Sequence, residues 1–247
     1  SWHCDGAPGG GHFRLSLHHS LNEREQILAR IREALTVPAP VPGSQDGRAR
    51  RDGLPTSADQ RRVLPAVGDS FDARASLFAK NAADLRAQFK LLANSSDLAA
   101  ELERLAAAEQ WDRVASHRGA LTDPACAALG LPVLLTDEPY DKTDLERCPA
   151  GLSACDALVA QTGSVLVTSR GAGGRALSVL PPHHVVLARR DQLVADLPEA
   201  FALLRSKYGA DYPSMISFIT GPSRTGDIER ILVLGAHGPR QLTILCY

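Results

Sequence analysis

Short apolar segments, several of them rich in β-branched residues, recur along the chain beyond residue 110, and this rhythm most constrains the fold. Several segments are continuously apolar rather than alternating, which is typical of strands covered on both faces. Helical stretches at 124–129 and 196–208 interrupt them, so the pattern predicts an α/β fold with a mostly parallel sheet. Ligands of such sheets bind at the carboxyl ends of the strands. The predicted strands are 113–116, 133–135, 157–160, 165–168, 185–188, 216–220, 231–234 and 242–246.

The first part of the chain predicts helices and a linker. Residues 22–35 carry an apolar stripe and a capping box that starts at Asn22. Apolar residues from 71 to 92 alternate at spacings of four and three, which predicts one long helix; a second helix over 97–109 would be capped by Ser96. We therefore expect three parts. They are a disordered tail or appended segment over 1–20, a helix with a Pro- and Arg-rich linker over 21–68, and an α/β domain over 69–247.

Composition argues against several classes of function. With 27 basic and 28 acidic side chains the net charge is −1, which argues against nucleic acid or an anionic membrane as partner. The five cysteines form no Cys-x-x-Cys pair, which argues against a zinc or iron–sulfur site held by this chain alone. No run of 18 apolar residues is present, and the first 20 residues lack the apolar middle of a signal peptide. We expect a reduced, cytoplasmic protein without a metal or cofactor of its own.

The loop GPSRTGDIE (221–229) follows a predicted strand and is densely polar. Its polar side chains are Ser223, Arg224, Thr225, Asp227 and Glu229. Hydroxyls, a guanidinium and the N–H groups after a Gly-Pro turn can together hold a carboxylate or a phosphate. The same residues also suit a plain turn in which Asp227 and Glu229 pair with Arg224 or Arg230. The residues alone leave both interpretations open.

Two other loops carry polar groups next to apolar segments. In LGAHGPRQ (234–241), His237 stands between glycines, where an imidazole has little reason to pack, and its ordinary pKa of about 6.5 suits proton transfer. In AQTGSVLV (160–167), the residues Gln161, Thr162 and Gly163 form either a tight turn with Gly163 at positive φ or a polar rim that faces a ligand.

Two further motifs match known sites without the required context. The segment GAGGRA (171–176) fits Gly-x-Gly-x-x-Ala, but Pro181 and Pro182 follow too soon for the helix that would bind a pyrophosphate. We expect a mobile loop there instead. His183 and His184 stand next to each other on a predicted strand and therefore point to opposite faces, so they would not share a metal. We expect one of them to be half-buried and hydrogen-bonded.

Several segments together resemble the lactate-utilisation (LUD) domain family. They are REQILARIREAL (24–35), AQTGSVLV (160–167), GRALSVLPPHHVVL (174–187), SMISFITGPS (214–223) and GPSRTGDIE with LVLGAHGP (221–229, 232–239). The resemblance implies the fold of ribose-5-phosphate isomerase, glucosamine-6-phosphate deaminase and CoA transferases, in which helices sandwich a parallel-rich sheet, here with an N-terminal helical extension. It also implies a role in oxidising L-lactate to pyruvate with iron–sulfur partner proteins. Family members often carry Glu and Asn where this chain has Gln161 and Arg224.

The leading hypothesis is a cytoplasmic subunit or accessory protein of L-lactate oxidation. It would bind a small carboxylate at the ends of strands 157–160 and 216–220, and His237 or Asp227 would move a proton. The alternatives are a free-standing enzyme acting on a phosphosugar or a CoA thioester, and a non-catalytic assembly module whose partner surface is the predicted helix 71–92. Each is compatible with a homo-oligomer. The candidate anion-binding residues are Gly221, Ser223, Arg224, Thr225, Glu229, Gly238, Arg175, Gln161, Thr162 and Gly163.

Overall fold

The computed structural model describes residues 23–36, 66–228, 231–234 and 238–247. The chain divides into two units, one up to residue 56 and one from residue 57. In the first unit, helix α1 (Glu23–Thr36) confirms the helix expected there. The expected tail over 1–20 and most of the expected linker lie outside the described residues.

The described residues of the second unit contain helices α2 (Phe71–Asp84), α3 (Ser95–Glu109), α4 (Thr122–Leu129), α5 (Lys142–Glu146) and α6 (Leu197–Tyr208). Asn94, not Ser96, caps α3, because its side-chain oxygen accepts hydrogen bonds from two backbone N–H groups of the first turn. No helix in the described part of the chain is long and apolar enough to cross a membrane.

The strands fall into a large sheet, a smaller sheet and a two-stranded ribbon. They are β1 (Gln88–Leu91), β2 (Val114–Ser116), β3 (Val133–Leu135), β4 (Ala150–Ala154), β5 (Ala157–Val159), β6 (Ser164–Thr168), β7 (His183–Ala188), β8 (Leu193–Val194), β9 (Ile216–Ile219), β10 (Arg224–Ile228), β11 (Ile231–Leu234) and β12 (Gln241–Cys246).

The large sheet has the order β1-β12-β7-β4-β2-β3, and every neighbouring pair in it is parallel. Its central strand β7 is buried along its whole length. Val185 and Leu187 of β7 pack against α3 and α4 on one face, whereas Val186 and Ala188 pack against α2 on the other. This arrangement confirms an α/β fold with a mostly parallel sheet covered on both faces.

The smaller sheet has the order β8-β5-β6-β9. In it, β6 pairs antiparallel with β5 on one side and with β9 on the other. Leu158 and Val165 face α2 together with one face of the large sheet, while Leu166 and Phe218 face α6. The smaller sheet therefore packs against α6 on one face and against α2 and the large sheet on the other. The strands β10 and β11 pair antiparallel, with an irregular register between Thr225 and Ile228.

The long helix predicted over 71–92 is wrong. Helix α2 ends at Asp84, Arg86 has φ 63, and the next apolar residues form β1, which pairs with β12. The apolar spacing reflects two elements packed on one core, because Phe78 of α2 is fully buried against Phe89 of β1, with ring centroids 4.8 Å apart. An assembly module that presents Phe78 and Phe89 to a partner is therefore incompatible with this fold.

Candidate functional site

A cleft of about 580 Å³, measured with its open mouth, lies between the smaller sheet and one face of the large sheet. Strand β9 lines one wall with Ser217 and Ile219, whose side chains alternate with Phe218 on the α6 side. The opposite wall comes from His184 and Leu242, which are paired neighbours on β7 and β12. The cleft thus reaches β9 along its length, but it meets β7 and β12 near their amino-terminal ends. The site predicted at the ends of strands 157–160 and 216–220 stays a prediction, and Ile219 and Gly221, at the end of β9, line this cleft.

The mouth of the cleft is formed by the two glycine- and proline-containing loops that the sequence singled out. Residues 221–223 and residues 238–239 both line it. The N–H of Ser223 donates a hydrogen bond to the carbonyl oxygen of Pro239 over 2.8 Å. A Cβ placed on Gly238 would lie 3.1 Å from the Cβ of Ser223, so the loops are in close contact. Tertiary structure therefore joins two of the predicted site segments.

Gly221 is required at the start of this loop. Its φ is +92°, and a Cβ there would lie 2.7 Å from the carbonyl oxygen of Leu85, at the end of α2. Only glycine adopts such a backbone without strain and permits so close an approach. Helix α2 therefore sets the position of the loop that lines the cleft.

Arg224 follows this loop as the first residue of β10, and its side chain is exposed. Its Nη2 atom lies 3.5 Å from the position of a Cβ on Gly221, so the guanidinium stays beside the loop. No ion pair involves Arg224 among the described residues. The side chains of Thr225 and Asp227, and all of Glu229 and His237, lie outside the part of the structure that is described.

His184 lines the cleft, although the sequence did not predict it as a candidate site residue. Both neighbouring histidines are buried, so the expectation that one is half-buried is wrong, although they do point to opposite faces. His183 has partners at both ring nitrogens, with Glu109 and Thr243 each 2.9 Å away. The Nε2 of His184 contacts the Oγ of Ser153 at 2.8 Å, whereas its Nδ1 has no hydrogen-bond partner among the described residues.

The imidazole of His184 is neutral across the physiological range. Burial, and to a lesser extent the neighbouring His183, lower the pKa of His184 to about 3. The cleft therefore contains a buried polar ring without a charge. Its apolar lining includes Met215 and Leu242.

The turn at Gln161 to Gly163 packs against helix α2. Gly163 has φ +65°, as the turn interpretation predicts, and a Cβ there would lie 2.9 Å from the Cβ of Asn81. The Nδ2 of Asn81 donates hydrogen bonds to the carbonyl oxygens of Ala160 and Gln161. Thr162 has a buried hydroxyl without a partner in the described chain. None of the turn residues belongs to the lining of the cleft.

The glycine-rich segment forms turns rather than a helix, so the dinucleotide motif has no helix amino terminus to present. Two hydrogen bonds connect the segment to its surroundings, and its expected mobility stays a prediction. Thr136 Oγ1 donates to the carbonyl oxygen of Gly173 over 2.8 Å, and Arg175 Nη2 donates to the carbonyl oxygen of Ser214 over 2.6 Å. Arg175 itself does not line the cleft, although Ser178 and Val179 of the same segment do.

The relationship of the chain to known proteins follows from a match to a family model. The LUD domain model matches residues 75–247 of this chain. The chain belongs to the LUD domain family. The LUD domain match includes every residue that lines the cleft, as well as Arg224 and both neighbouring histidines.

Relatives of this LUD domain protein include lactate utilization protein C from three bacteria. The protein of Deinococcus radiodurans is 32% identical over 118 residues and that of Geobacillus kaustophilus 34% over 135, each match covering 47% of this chain. The chain spans 55% and 56% of the length of these two relatives. The protein of Geobacillus thermodenitrificans is 32% identical over 183 residues, which covers 63% of this chain and 73% of the relative.

A solved structure shares the fold of the LUD domain described above. It is the crystal structure of a DUF162 family protein from Deinococcus radiodurans, with a TM-score of 0.57 and 22% identity. The match covers 72% of this chain and 99% of that chain. This likeness concerns the fold alone.

The LUD domain has two other features that are candidates for a functional site: a second cleft and its buried cysteine thiols. A second, wider cleft of about 780 Å³ lies between α4 and β3, but its Arg118 is engaged by Glu138 at 3.6 Å and Asp123 at 3.9 Å. Burial raises the pKa of the Cys155 thiol, and that of the Cys246 thiol to about 11, so neither is poised as a thiolate. No cluster of three metal-ligating side chains occurs within the described ranges.

Proposed function

We propose that this chain acts in lactate utilisation, as a subunit or accessory protein of the oxidation of L-lactate to pyruvate, and that its cleft binds a small carboxylate. The observation that carries the site is the junction of the two loops at one mouth, where Ser223 donates to Pro239 and Arg224 stands unpaired among the described residues. The role in lactate utilisation is supported by the relatives named lactate utilization protein C.

The anion would be held by side chains at the mouth. The N–H of Ser223 is already used by Pro239, so the available groups are the Ser223 hydroxyl and the Arg224 guanidinium, joined in the proposal by Thr225. A hydrogen bond to a charged group contributes about 1.5–3 kcal/mol. Two or three such bonds correspond to dissociation constants from about millimolar downward, once the cost of association is subtracted.

Proton transfer and partner chemistry complete the proposal. His237 or Asp227 would move a proton beside the bound acid, with Glu229 and Gly238 in the same loops. Redox chemistry would belong to iron–sulfur partner proteins, and this chain would act in the cytoplasm without a cofactor of its own. We also propose the finer assignment of the fold to the ribose-5-phosphate isomerase, glucosamine-6-phosphate deaminase and CoA transferase group, with the domain beginning near residue 69.

The alternative of a free-standing enzyme on a phosphosugar or CoA thioester has less support. A glutamyl–CoA mechanism needs a carboxylate nucleophile, whereas this chain has the amide Gln161. The turn that carries Gln161 packs on α2 and does not line the cleft. Hydroxylamine trapping in the presence of acyl-CoA tests this alternative, which requires a covalent adduct on the protein.

Calorimetric titration with L-lactate, pyruvate and inorganic phosphate tests the site. We expect millimolar or tighter binding of a carboxylate to wild type and a loss of about tenfold or more in Arg224→Ala, which corresponds to about 1.4 kcal/mol. The control is Arg205→Ala, an exposed arginine on α6, which lies across the smaller sheet from the cleft. Absence of heat with all three anions at millimolar concentration overturns the carboxylate site.

Growth on L-lactate tests the pathway. Deletion of the gene is expected to abolish or slow growth on L-lactate as the carbon source, with no effect on growth on pyruvate. Complementation with wild type should restore growth, and complementation with Arg224→Ala should restore it only partly. Unimpaired growth of the deletion strain on L-lactate would refute the proposed role.

A further inference from the structure

Strand β9 forms an edge of the smaller sheet. It pairs with β6 on one side, and no strand in the described part of the chain pairs with its other side. The N–H of Ser169 donates to the carbonyl oxygen of Met215 over 3.0 Å, which continues the ladder between β6 and β9. Backbone groups alternate in direction along an antiparallel strand, so Ser217, like Met215, turns its own toward β6. The N–H and C=O groups of Ile216 and Phe218 therefore point away from the sheet.

This edge lacks the features that ordinarily prevent two sheet edges from pairing. Charged side chains, prolines and bulges within an edge strand discourage pairing with another chain. Strand β9 has the sequence ISFI, its register with β6 is regular, and residues 212–223 contain no charged side chain. By contrast, β1, at an edge of the large sheet, carries Lys90. The edge at β9 is therefore open to a further strand.

Apolar side chains beside this edge are exposed to solvent. Ile216 is 36% exposed and Phe201 of α6 is 47% exposed. The ring of Phe201 lies 5.5 Å from that of Phe218, and Ile216 shares the α6 side of the strand with Phe218, since side chains alternate along a strand. Contiguous exposed apolar side chains mark an interaction surface. A strand added to β9 would shield this cluster from water.

We propose that β9 pairs with β9 of a second copy of this chain, antiparallel and about a two-fold axis at Ser217. The two smaller sheets, of four strands each, then form one continuous sheet of eight strands. In this register the outward backbone groups of Ile216 meet those of Phe218 in the second copy, and two-fold symmetry repeats the pair on the other side of the axis. Each pair exchanges both of its backbone hydrogen bonds.

The edge fits its own copy. Opposite each other across the axis, Ile216 and Phe218 make a β-branched and aromatic pair, which is among the favourable cross-strand combinations. The charged residues that flank the uncharged segment in sequence have opposite signs, with Asp211 before it and Arg224 after it. Antiparallel self-pairing therefore sets no like charges opposite each other, which is the condition that a two-fold interface has to meet.

Dimerisation of this kind brings the two clefts together. Met215, Ser217 and Ile219 all line the cleft, and they lie on the side of β9 opposite to the α6 cluster. In the proposed register Met215 of the second copy stands opposite Ile219, so it extends the β9 wall of the cleft. The dimer is independent of which acid the cleft binds, and it goes beyond the function proposed above.

Sedimentation of the full-length chain at micromolar concentration tests the dimer. We expect wild type to have twice the 26.4 kDa mass of one chain. Ile216→Lys places a charge within the interface and should have the mass of one chain, with circular dichroism used to confirm its fold. The matched control is Leu91→Lys, because Leu91 is 41% exposed on the edge strand β1, and this variant should remain a dimer. A monomeric wild type, or a dimer that persists in Ile216→Lys, overturns the proposal.

Disulfide cross-linking tests the register. Ser217 would face its own copy as a non-hydrogen-bonded pair with Cα atoms about 4.5 Å apart, which a disulfide can span. Oxidation with diamide should therefore convert Ser217→Cys into a covalent dimer on a non-reducing gel. Thr220→Cys is the control, since three residues from the axis its two copies lie about 20 Å apart. Wild type gives the background of the five native cysteines. Equal cross-linking of the two variants, or none in Ser217→Cys, overturns the pairing.

Discussion

The side-chain amide of Asn81 donates hydrogen bonds of 2.9 Å to the carbonyl oxygen of Ala160 and of 3.0 Å to that of Gln161. One residue of α2 therefore holds the turn between β5 and β6, about 80 residues further along the chain. Leu85 follows the last residue of the same helix, and the cleft loop approaches its carbonyl oxygen at Gly221. Helix α2 thus positions two of the segments that the sequence singled out.

Replacement of Asn81 should destabilise the protein through this turn. Asn81→Ala leaves two partly buried carbonyl groups without their donor, so we expect the free energy of unfolding to fall by about 2–3 kcal/mol. The neighbouring Lys80→Ala is the control, since Lys80 is exposed and, among the described residues, forms an ion pair with the exposed Asp84 alone. Its effect should stay below about 1 kcal/mol. Urea unfolding monitored by circular dichroism measures both. Equal losses in the two variants would contradict the role of Asn81.

Alanine substitutions at Gly174 and Gly221 distinguish the cost of a strained backbone from the cost of a steric clash. Gly174 has φ +87° with no atom within 4 Å of a Cβ, whereas Gly221 has φ +92° and a Cβ there would lie 2.7 Å from a backbone oxygen. Gly174→Ala should cost about 1–2 kcal/mol from the backbone alone. Gly221→Ala should cost about 1–3 kcal/mol more because the loop must move. The same loop lines the cleft, so carboxylate binding should weaken in Gly221→Ala. Equal stability of the two variants would show that the loop adapts freely.

Asp156 anchors α6 to the smaller sheet. Its buried carboxylate accepts hydrogen bonds from Lys207 at 2.5 Å, Tyr208 at 2.9 Å and Thr168 at 2.8 Å. Asp156→Asn removes a buried charge from this network and should cost about 2–4 kcal/mol. Asp211→Asn is the control, because Asp211 is exposed and its pair with Arg170 should contribute less than about 1 kcal/mol. A loss in Asp156→Asn no larger than that of the control would contradict the anchor.

The same network predicts a loss of stability in alkali. Burial acts to lower the pKa of Lys207, but the hydrogen bond and charge of Asp156 outweigh it, so the pKa lies above its ordinary value of 10.5. The stabilisation is therefore fully present below pH 10.5 and is lost as the pH rises through the folded-state pKa. Because half of the Lys207 side chain is exposed, solvent screens the effect. Thermal unfolding between pH 8 and pH 11 or so should show a smaller alkaline decline in Asp156→Asn than in wild type.

His184 predicts the opposite dependence in acid. Its pKa falls from 6.5 to about 3 on folding, mainly because of burial, so the unfolded chain takes up a proton that the folded protein does not. Stability is fully present above pH 6.5 and is lost as the pH falls toward 3, at up to about 1.4 kcal/mol per pH unit. Urea unfolding at several pH values measures this dependence. We expect the free energy of unfolding of His184→Phe to change less steeply with pH than that of wild type, by up to the slope that one proton contributes. Parallel slopes would show that His184 titrates normally.

The apolar rhythm predicted most of the strands because those segments carry enough branched side chains to be recognised locally. Strand β4, the sequence AGLSA, was missed, since alanine, glycine and serine have little intrinsic preference for strands. It is a strand because β2 and β7 pair with it on either side. At Gly151 a Cβ would lie 2.9 Å from the carbonyl oxygen of Leu177, a contact that exists only in the folded chain.

The candidate site, too, was predicted from the sequence only in part. Local sequence was sufficient to pick out the loops at 221–224 and 238–239, because glycine, proline and dense polar groups mark them wherever they lie. It also determined that His183 and His184 face opposite sides of a strand. Only tertiary structure decided which of them lines the cleft. The smaller sheet packs across the face that carries His184, and it leaves a cleft at the amino-terminal ends of β7 and β12. That packing joins residues more than 50 positions apart along the chain, and no local pattern encodes it.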